Sequence, residues 1–422
     1  MLKTARIKET KLVFLVLAFL AVGLLIVNTG EHPPLPLPAN LFGAGAGLAL
    51  LITQLLTARW DPRGDRYIFP LAAMLSVFGL VLLFRLTPGY ATRQIYWLVA
   101  GLSCFMLTAE GLRDYKLLED YKYIYIIGGL AALLLTIVLG VEVGGARSWI
   151  AVAGIRMQPA EFVKIMLVIF LASYLNEQRE VLTAGKPGIL GLTWPGLQYL
   201  GPLLVMWGFS LFLLVLQKDL GTALIFFGTF LAMIFAATGR WSYVVSGMLL
   251  FAVGAVLCYF LFAHVRVRVA IWLNPWQNME GSGYQIVQSL FAIGSGGLLG
   301  AGLGAGQPQL IPAVHTDFVF SAIAEEFGLF GGMALILIYL LIVYRGFRIA
   351  LNSRTGFGTL LASGLTSLLA VQTIVIIGGV TKLLPLTGVT LPFISYGGSS
   401  LVSSYIMLGL LVNISRKDRD VH

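Results

Sequence analysis

Charge is scarce in this sequence. Only 11% of its 422 residues are Asp, Glu, Lys or Arg, 58% are hydrophobic, and the mean hydropathy is +0.89. That balance excludes a soluble domain of this length. Cysteine is nearly absent as well: Cys104 and Cys258 both fall in apolar stretches, which excludes a disulfide framework and a cysteine metal site. The four histidines, His32, His264, His315 and His422, are too scattered to form a ligand cluster. There is no extramembrane domain, heptad seam or strong internal repeat.

Apolar runs are what the sequence has in abundance. Segments of roughly the length of a bilayer's hydrocarbon core lie near 12–28, 39–57, 68–85, 93–110, 121–141, 160–175, 199–216, 220–238, 243–264, 318–344, 357–380 and 399–415. They predict an all-α polytopic membrane protein of about twelve transmembrane helices. The chain reads as one integral membrane domain over 1–422, with one long extracytoplasmic loop over 265–317. The first run follows Lys3, Arg6, Lys8 and Lys11 and lacks a small-residue cleavage pattern, so it reads as a retained anchor. Basic loops stay cytoplasmic. With both termini inside, only Arg85, Arg93, Arg147, Arg156, Lys164, Lys218, Arg266, Arg268 and Lys382 of the 28 Lys and Arg fall on the opposite side. The formal charge of +9 is then a topology signal and requires no nucleic-acid partner.

Polar residues gather in three places, each with a plain structural reading beside a functional one. In "HVRVRVAIWL", Arg266 and Arg268 share a face if the backbone is extended, which suits a phosphate or pyrophosphate; anchoring to lipid headgroups explains them equally well. The glycines of "GSGGLLGAGLGAG" lack a preceding strand and a Walker lysine, so they point to close backbone packing or a re-entrant segment and not to a nucleotide loop. At the end of this segment, "HTDFVFSAIAEEFGL" sets Asp317 before an apolar run and Glu325 and Glu326 inside it. Asp317 reads either as a helix N-cap or as a functional carboxylate with His315, Thr316 and Ser321 as company. Glu325 returns nearer the face of Asp317 than Glu326 does.

The second constellation is "GARSWIAVAGIRMQPAEFVKI". Pro159 suits a first helical turn, and Glu161 and Lys164 are then three apart on one face, either as a helix clamp or as part of a polar interior. Trp149 fits an interfacial belt. The third is "LLPLTGVTLPFISYGGSSL", where prolines and glycines break any continuous helix and Ser395 is one of several hydroxyls. Broken backbone at membrane depth is tolerated where it lines a cavity or is buried in protein. Lys382 and Lys218 flank these segments and read most simply as snorkelling residues.

Taken together, "GARSWI", "QPAEFVKI", "QKDLGTALIF", "GSGYQIVQSL", "HTDFVF" and "LPFISYGGSSL" resemble the SEDS family of shape, elongation, division and sporulation proteins, which includes RodA, FtsW and SpoVE. The resemblance runs over 144–422 in the family's order; residues 1–143 hold the spans beyond the family's usual ten. It implies a peptidoglycan glycosyltransferase that polymerises lipid II into glycan strands at the outer face of the bacterial cytoplasmic membrane, for elongation or division, and releases undecaprenyl pyrophosphate. A class B penicillin-binding protein is implied as the transpeptidase partner, alongside the membrane lipids. Carried over by motif, Asp317 is the catalytic acid. Trp149, Glu161, Lys164, Arg266, Arg268, Tyr284, Gln285, Gln288, His315, Thr316, Glu325, Lys382 and Ser395 support it or hold substrate. Lys218 stands where the family commonly has Pro, and Ser148 where a basic residue is common.

The chemistry implied is an inverting displacement, in which Asp317 removes the proton of an acceptor sugar hydroxyl and basic residues offset charge on the departing pyrophosphate. No dedicated metal cage is visible, which leaves a divalent cation, Mg or Mn, open as an aid to departure. A lipid II flippase is the rival reading from transport, and a scaffold for the penicillin-binding protein is a third. Clustering of the polar motifs on one side favours the enzyme.

Overall fold

The structure, a computed structural model, describes residues 2–29, 35–60, 64–112, 114–143, 145–152, 154–183, 186–187, 193–194 and 197–417. Its helices are α1 (Leu2–Thr29), α2 (Leu37–Trp60), α3 (Ile68–Leu86), α4 (Pro88–Met106), α5 (Leu117–Asp120), α6 (Lys122–Leu139), α7 (Ala160–Glu177), α8 (Arg179–Thr183), α9 (Leu197–Leu216), α10 (Leu220–Thr238), α11 (Trp241–Leu261), α12 (Ala263–Leu273), α13 (Tyr284–Gly296), α14 (Val319–Asn352), α15 (Gly356–Val380) and α16 (Gly398–Lys417). Each predicted span falls mainly on one of these, with 93–110 running past the end of α4 and 243–264 passing from α11 into α12. Among the described residues, nine helices are long and apolar enough to cross a membrane: α1, α2, α3, α6, α10, α11, α14, α15 and α16. The chain is therefore a multi-pass, largely helical membrane protein. α4, α7 and α9 also match predicted spans.

The helices form two compact units, one of residues 1–113, 270–345 and 372–422, the other of 114–269 and 346–371. In the first, α16 runs along α4 at close range. A Cβ on Gly409 would fall 1.9 Å from the Thr108 hydroxyl, so only glycine fits there. Beyond α4 the chain makes a π-helical turn, Leu107–Gly111. Such a turn leaves carbonyls without ordinary helical partners. Asn413 of α16 supplies them, donating to Thr108 O at 3.2 Å, Ala109 O at 3.1 Å and Leu112 O at 2.7 Å.

The same unit holds the glycine-rich segment that follows α13. α14 is broken at Gly328, whose φ of 66° and ψ of −168° belong to a region open essentially to glycine alone. The break frees the carbonyls of Glu325 and Glu326, which accept from Ala301 N at 2.9 Å and Gly302 N at 3.0 Å. On the far side, Leu329 N and Phe330 N donate to Gly297 O at 2.9 Å and Leu298 O at 3.2 Å. Backbone meets backbone here: a Cβ on Gly300 would stand 2.3 Å from Glu326 O. Close packing is thus the role of these glycines. Two of α14's acids brace the segment: Glu325 Oε1 accepts from Gln307 N at 2.7 Å, and Glu326 pairs at 3.4 Å with Arg85, which donates to Gly304 O and Gly306 O at 3.1 Å each.

The second unit contains structure that the helical reading does not anticipate. β1 (Val141–Val143), β2 (Ala146–Val152) and β3 (Ile155–Met157) form an antiparallel meander in chain order. Both of its turns carry a glycine at positive φ, Gly145 at 82° and Gly154 at 81°. The sheet is tied down through Arg147, whose N donates to Gln217 O at 3.0 Å and whose Nε donates to Gly140 O at 2.9 Å. Gln217 in turn donates to Leu133 O of α6 at 2.8 Å.

Replacing Asn413 by Leu keeps the branching of the side chain and strips the donor from three carbonyls. The Asn413→Leu protein is expected to lose about 1–3 kcal/mol of stability, seen as a lower unfolding midpoint in detergent; an unchanged midpoint would mean the π-turn is satisfied in another way.

Candidate active site

Asp317 stands two residues ahead of α14. Ala313, at φ 56°, turns the chain so that its carbonyl accepts from Thr316 N at 3.1 Å, Asp317 N at 3.2 Å and Thr316 Oγ1 at 3.1 Å. The broken stretch before α16 then grips this turn. Ser395 Oγ donates to Thr316 O and accepts from Leu391 N at 2.9 Å, while Tyr396 N donates to His315 O at 2.8 Å. Asp317 is half-buried. Beside its carboxylate lies Gly388, exposed and at φ 68°, where a Cβ would stand 3.6 Å from Oδ2. The acid is therefore held on a fixed backbone and meets an exposed glycine on that flank.

Of the residues expected here, His315, Thr316, Asp317 and Ser395 are brought together. Two others belong to the cluster and escaped notice: Tyr90, whose ring centroid lies 4.7 Å from that of His315 and 4.6 Å from that of Tyr396, and Gln94. Burial holds the His315 imidazole below its ordinary pKa of 6.5. Lys382, half-buried at φ 63°, accepts from Trp272 Nε1 through its carbonyl at 3.2 Å. Tyr284, Gln285 and Gln288 are half-buried on α13. A buried polar side chain of that helix is Ser289, bonded to Ser321 Oγ at 2.7 Å and to Val380 O at 3.0 Å. Glu325, read from sequence as a helper of Asp317, has the bracing contact to Gln307 described above.

The second unit holds its own polar cluster. Glu161 and Lys164 pair within the first turns of α7, both buried. Asp219, also buried, caps α10 by accepting from Thr222 N at 3.1 Å and accepts from Gln158 Nε2 at 2.9 Å. Burial pushes the Asp219 carboxyl up, the Thr222 hydrogen bonds pull it back, Glu161 raises it further and Arg268 opposes that. Gln158 and Asp219 sit inside motifs quoted above, and an Asp just before "LGTALIF" is itself a capping signal. Trp149 is half-buried on β2, opposite Val141. The segment "HVRVRVAIWL" is helical, in α12, and not extended. Two residues apart on a helix is about 200° of rotation, so Arg266 and Arg268 do not share a face; Arg266 is exposed and Arg268 half-buried. Among the described residues, no group of three or more His, Cys, Asp or Glu side chains could hold a metal ion.

A family model described as cell cycle protein, covering FtsW, RodA and SpoVE, matches residues 66–420. The chain belongs to the FtsW/RodA/SpoVE family. Peptidoglycan glycosyltransferase RodA of Mycobacterium tuberculosis is 40% identical over 423 residues, spanning 96% of this chain and 90% of that one. A solved chain described as "Structural coordination of polymerization and crosslinking by a peptidoglycan synthase complex" matches with a TM-score of 0.71 at 29% identity, over 85% of this chain and 99% of its own. The crystal structure of the rod shape determining protein RodA of Thermus thermophilus matches with a TM-score of 0.62 at 28% identity, over 85% of this chain and 98% of its own. The resemblance drawn from the motifs is borne out. Both clusters lie inside the residues that match the FtsW/RodA/SpoVE model, whereas α1 and α2 precede them.

Two outcomes check this geometry. Removing one partner of a buried ion pair strands the other charge at about 3–5 kcal/mol, whereas replacing both by apolar residues is close to neutral. Lys164→Met is thus expected to unfold well below Glu161→Leu/Lys164→Met in detergent melts, and equal midpoints would argue against a desolvated pair. For His315, a depressed pKa means that the fold binds fewer protons than the unfolded chain. Its contribution to stability is complete above pH 6.5 and is lost as pH falls through the lower folded value. His315→Phe is expected to flatten the fall of the unfolding midpoint between about pH 7 and about pH 5; parallel curves for the two proteins would refute this.

Proposed function

We propose that the chain polymerises lipid II at the outer face of the bacterial cytoplasmic membrane, with Asp317 as the general base. It is a peptidoglycan glycosyltransferase. The observation that carries the assignment of the base is the fixed, half-buried setting of Asp317: a turn closed by Ala313, gripped by Ser395 and Tyr396, with exposed Gly388 at the carboxylate's side.

The reaction follows from that setting. An acceptor sugar hydroxyl approaches the carboxylate and gives up its proton as its oxygen forms the new bond to the anomeric carbon of a lipid-linked donor. The bond from that carbon to the pyrophosphate oxygen breaks, and undecaprenyl pyrophosphate leaves with the electron pair. Inversion at the anomeric carbon needs only this one displacement, and Asp317 ends protonated until water takes the proton away. General-base assistance of this type contributes about 10²- to 10⁴-fold. Lys382, in the broken stretch, is the basic residue of this unit that we assign to the anionic headgroup. No step is assigned to a divalent cation. A class B penicillin-binding protein supplies the crosslinking activity, a reading supported by the likeness to a chain of a peptidoglycan synthase complex. The distribution of Lys and Arg supports cytoplasmic termini.

Glycan polymerisation from purified lipid II, with the cognate penicillin-binding protein present, tests the reading. Wild type is expected to make polymer and folded Asp317→Asn to lose at least about 10²-fold in rate. Full activity in Asp317→Asn would remove the general base from the mechanism. No polymer from wild type would move the reading to a flippase or a scaffold.

A further inference from the structure

Gln94 lies inside α4 and is 3% exposed. A primary amide buried in a helix of this kind is costly unless both of its ends are paired. Here both are, and both pair with the same turn: Nε2 donates to Ser395 O at 3.1 Å, and Oε1 accepts from Gly397 N at 3.3 Å. The amide thus spans the two residues that flank Tyr396.

That turn is the one that grips the segment leading to Asp317. Ser395 reaches Thr316 O through its hydroxyl, and Tyr396 reaches His315 O through its N–H. One helical turn before Gln94, Tyr90 rests on the rings of both His315 and Tyr396, so α4 touches both sides of the joint. The turn is also confined from α3, where a Cβ on Gly79 would meet Ile394 O at 2.3 Å, and from α14, where Tyr339 donates to Pro392 O. Phe393 is held at φ 68°, a conformation that a bulky residue keeps only when its surroundings impose it.

We infer that Gln94 is a positioning residue for Asp317, fixing the 395–397 turn that in turn sets the carboxylate against the acceptor hydroxyl. The inference rests on reading Asp317 as the base. A displacement of about 1 Å at a reacting group can cost about 10²-fold in rate without changing substrate affinity in proportion. Loss of the amide is therefore felt in kcat, and it is felt through Ser395.

The test is a double-mutant cycle on the full chain, with purified lipid II as substrate and the penicillin-binding protein present, comparing wild type, Gln94→Leu, Ser395→Ala and the double variant, with Asp317→Asn alongside. Gln94→Leu is expected to lower kcat about tenfold or more and leave KM within about twofold. The double variant is expected to be no slower than the worse single one, because both changes break the same link. If Gln94→Leu does not fold, Gln94→Glu, which keeps the acceptor for Gly397 N and loses the donor to Ser395 O, takes its place in the cycle. Wild-type kcat, a change confined to KM, or losses that multiply would each overturn the inference. Full activity in Asp317→Asn would instead sink the reading of the base, whereas an inactive Asp317→Asn beside a fully active Gln94→Leu would sink only the role of Gln94.

Discussion

Four backbone hydrogen bonds at the Gly328 break hold the segment between α13 and α14 in place. In hydrocarbon, an unpaired N–H or C=O costs several kcal/mol, so a helix can be interrupted at membrane depth only where other groups of the protein or bound water take over its partners, and here another piece of backbone does so. The chain from Gly297 to Gly302 does that on both sides of the break. Because both strands of the contact are main chain, no side chain can be interposed, and this is why glycine stands at 300 and 328. The same contact fixes the course of the chain toward Ala313, the residue whose turn presents Asp317.

The carboxylates follow from this constraint. Glu325 and Glu326 lie just before the break, and each carboxylate faces the glycine segment, one against a main-chain N–H and the other against Arg85. Asp317, eight residues earlier than Glu325, lies outside the helix and is exposed enough to meet a substrate. Acids that look alike in an apolar run thus divide by position: those inside the span brace it, and the one before it stands half-buried at the start of the helix. The second unit repeats the division in part, with Glu161 neutralised by Lys164 and Asp219 spent on a helix cap.

The helices were legible because the bilayer imposes a length and a polarity that few other structures share. The motifs around Asp317, Glu161 and Ser395 were legible for the complementary reason, since polar residues and helix breakers stand out in so apolar a chain. What escaped was anything decided by tertiary partners. The meander of β1 to β3 is short, and its alternation in "VEV" and "SWIAV" is brief beside the apolar runs around it. α12 was open to an extended reading because Val and Arg alternate in it, yet its backbone closes its own hydrogen bonds as a helix. Gln94 was a polar residue inside a span, as Glu325 was, but its meaning depends on a turn 301 residues away.

Arg85 shows what such distances mean for a chain made from its N-terminus onward. The guanidinium reaches the end of α3 with Gly304, the first of its carbonyl partners, still 219 residues further along the chain, and Glu326 comes later still. Until then the positive charge has only water and lipid headgroups to satisfy it, which its place in the last turn of α3 permits by snorkelling. The buried pair is therefore assembled late, when α13 and α14 arrive, and the first four helices enter the membrane carrying a cation that only the second half of the protein can cover.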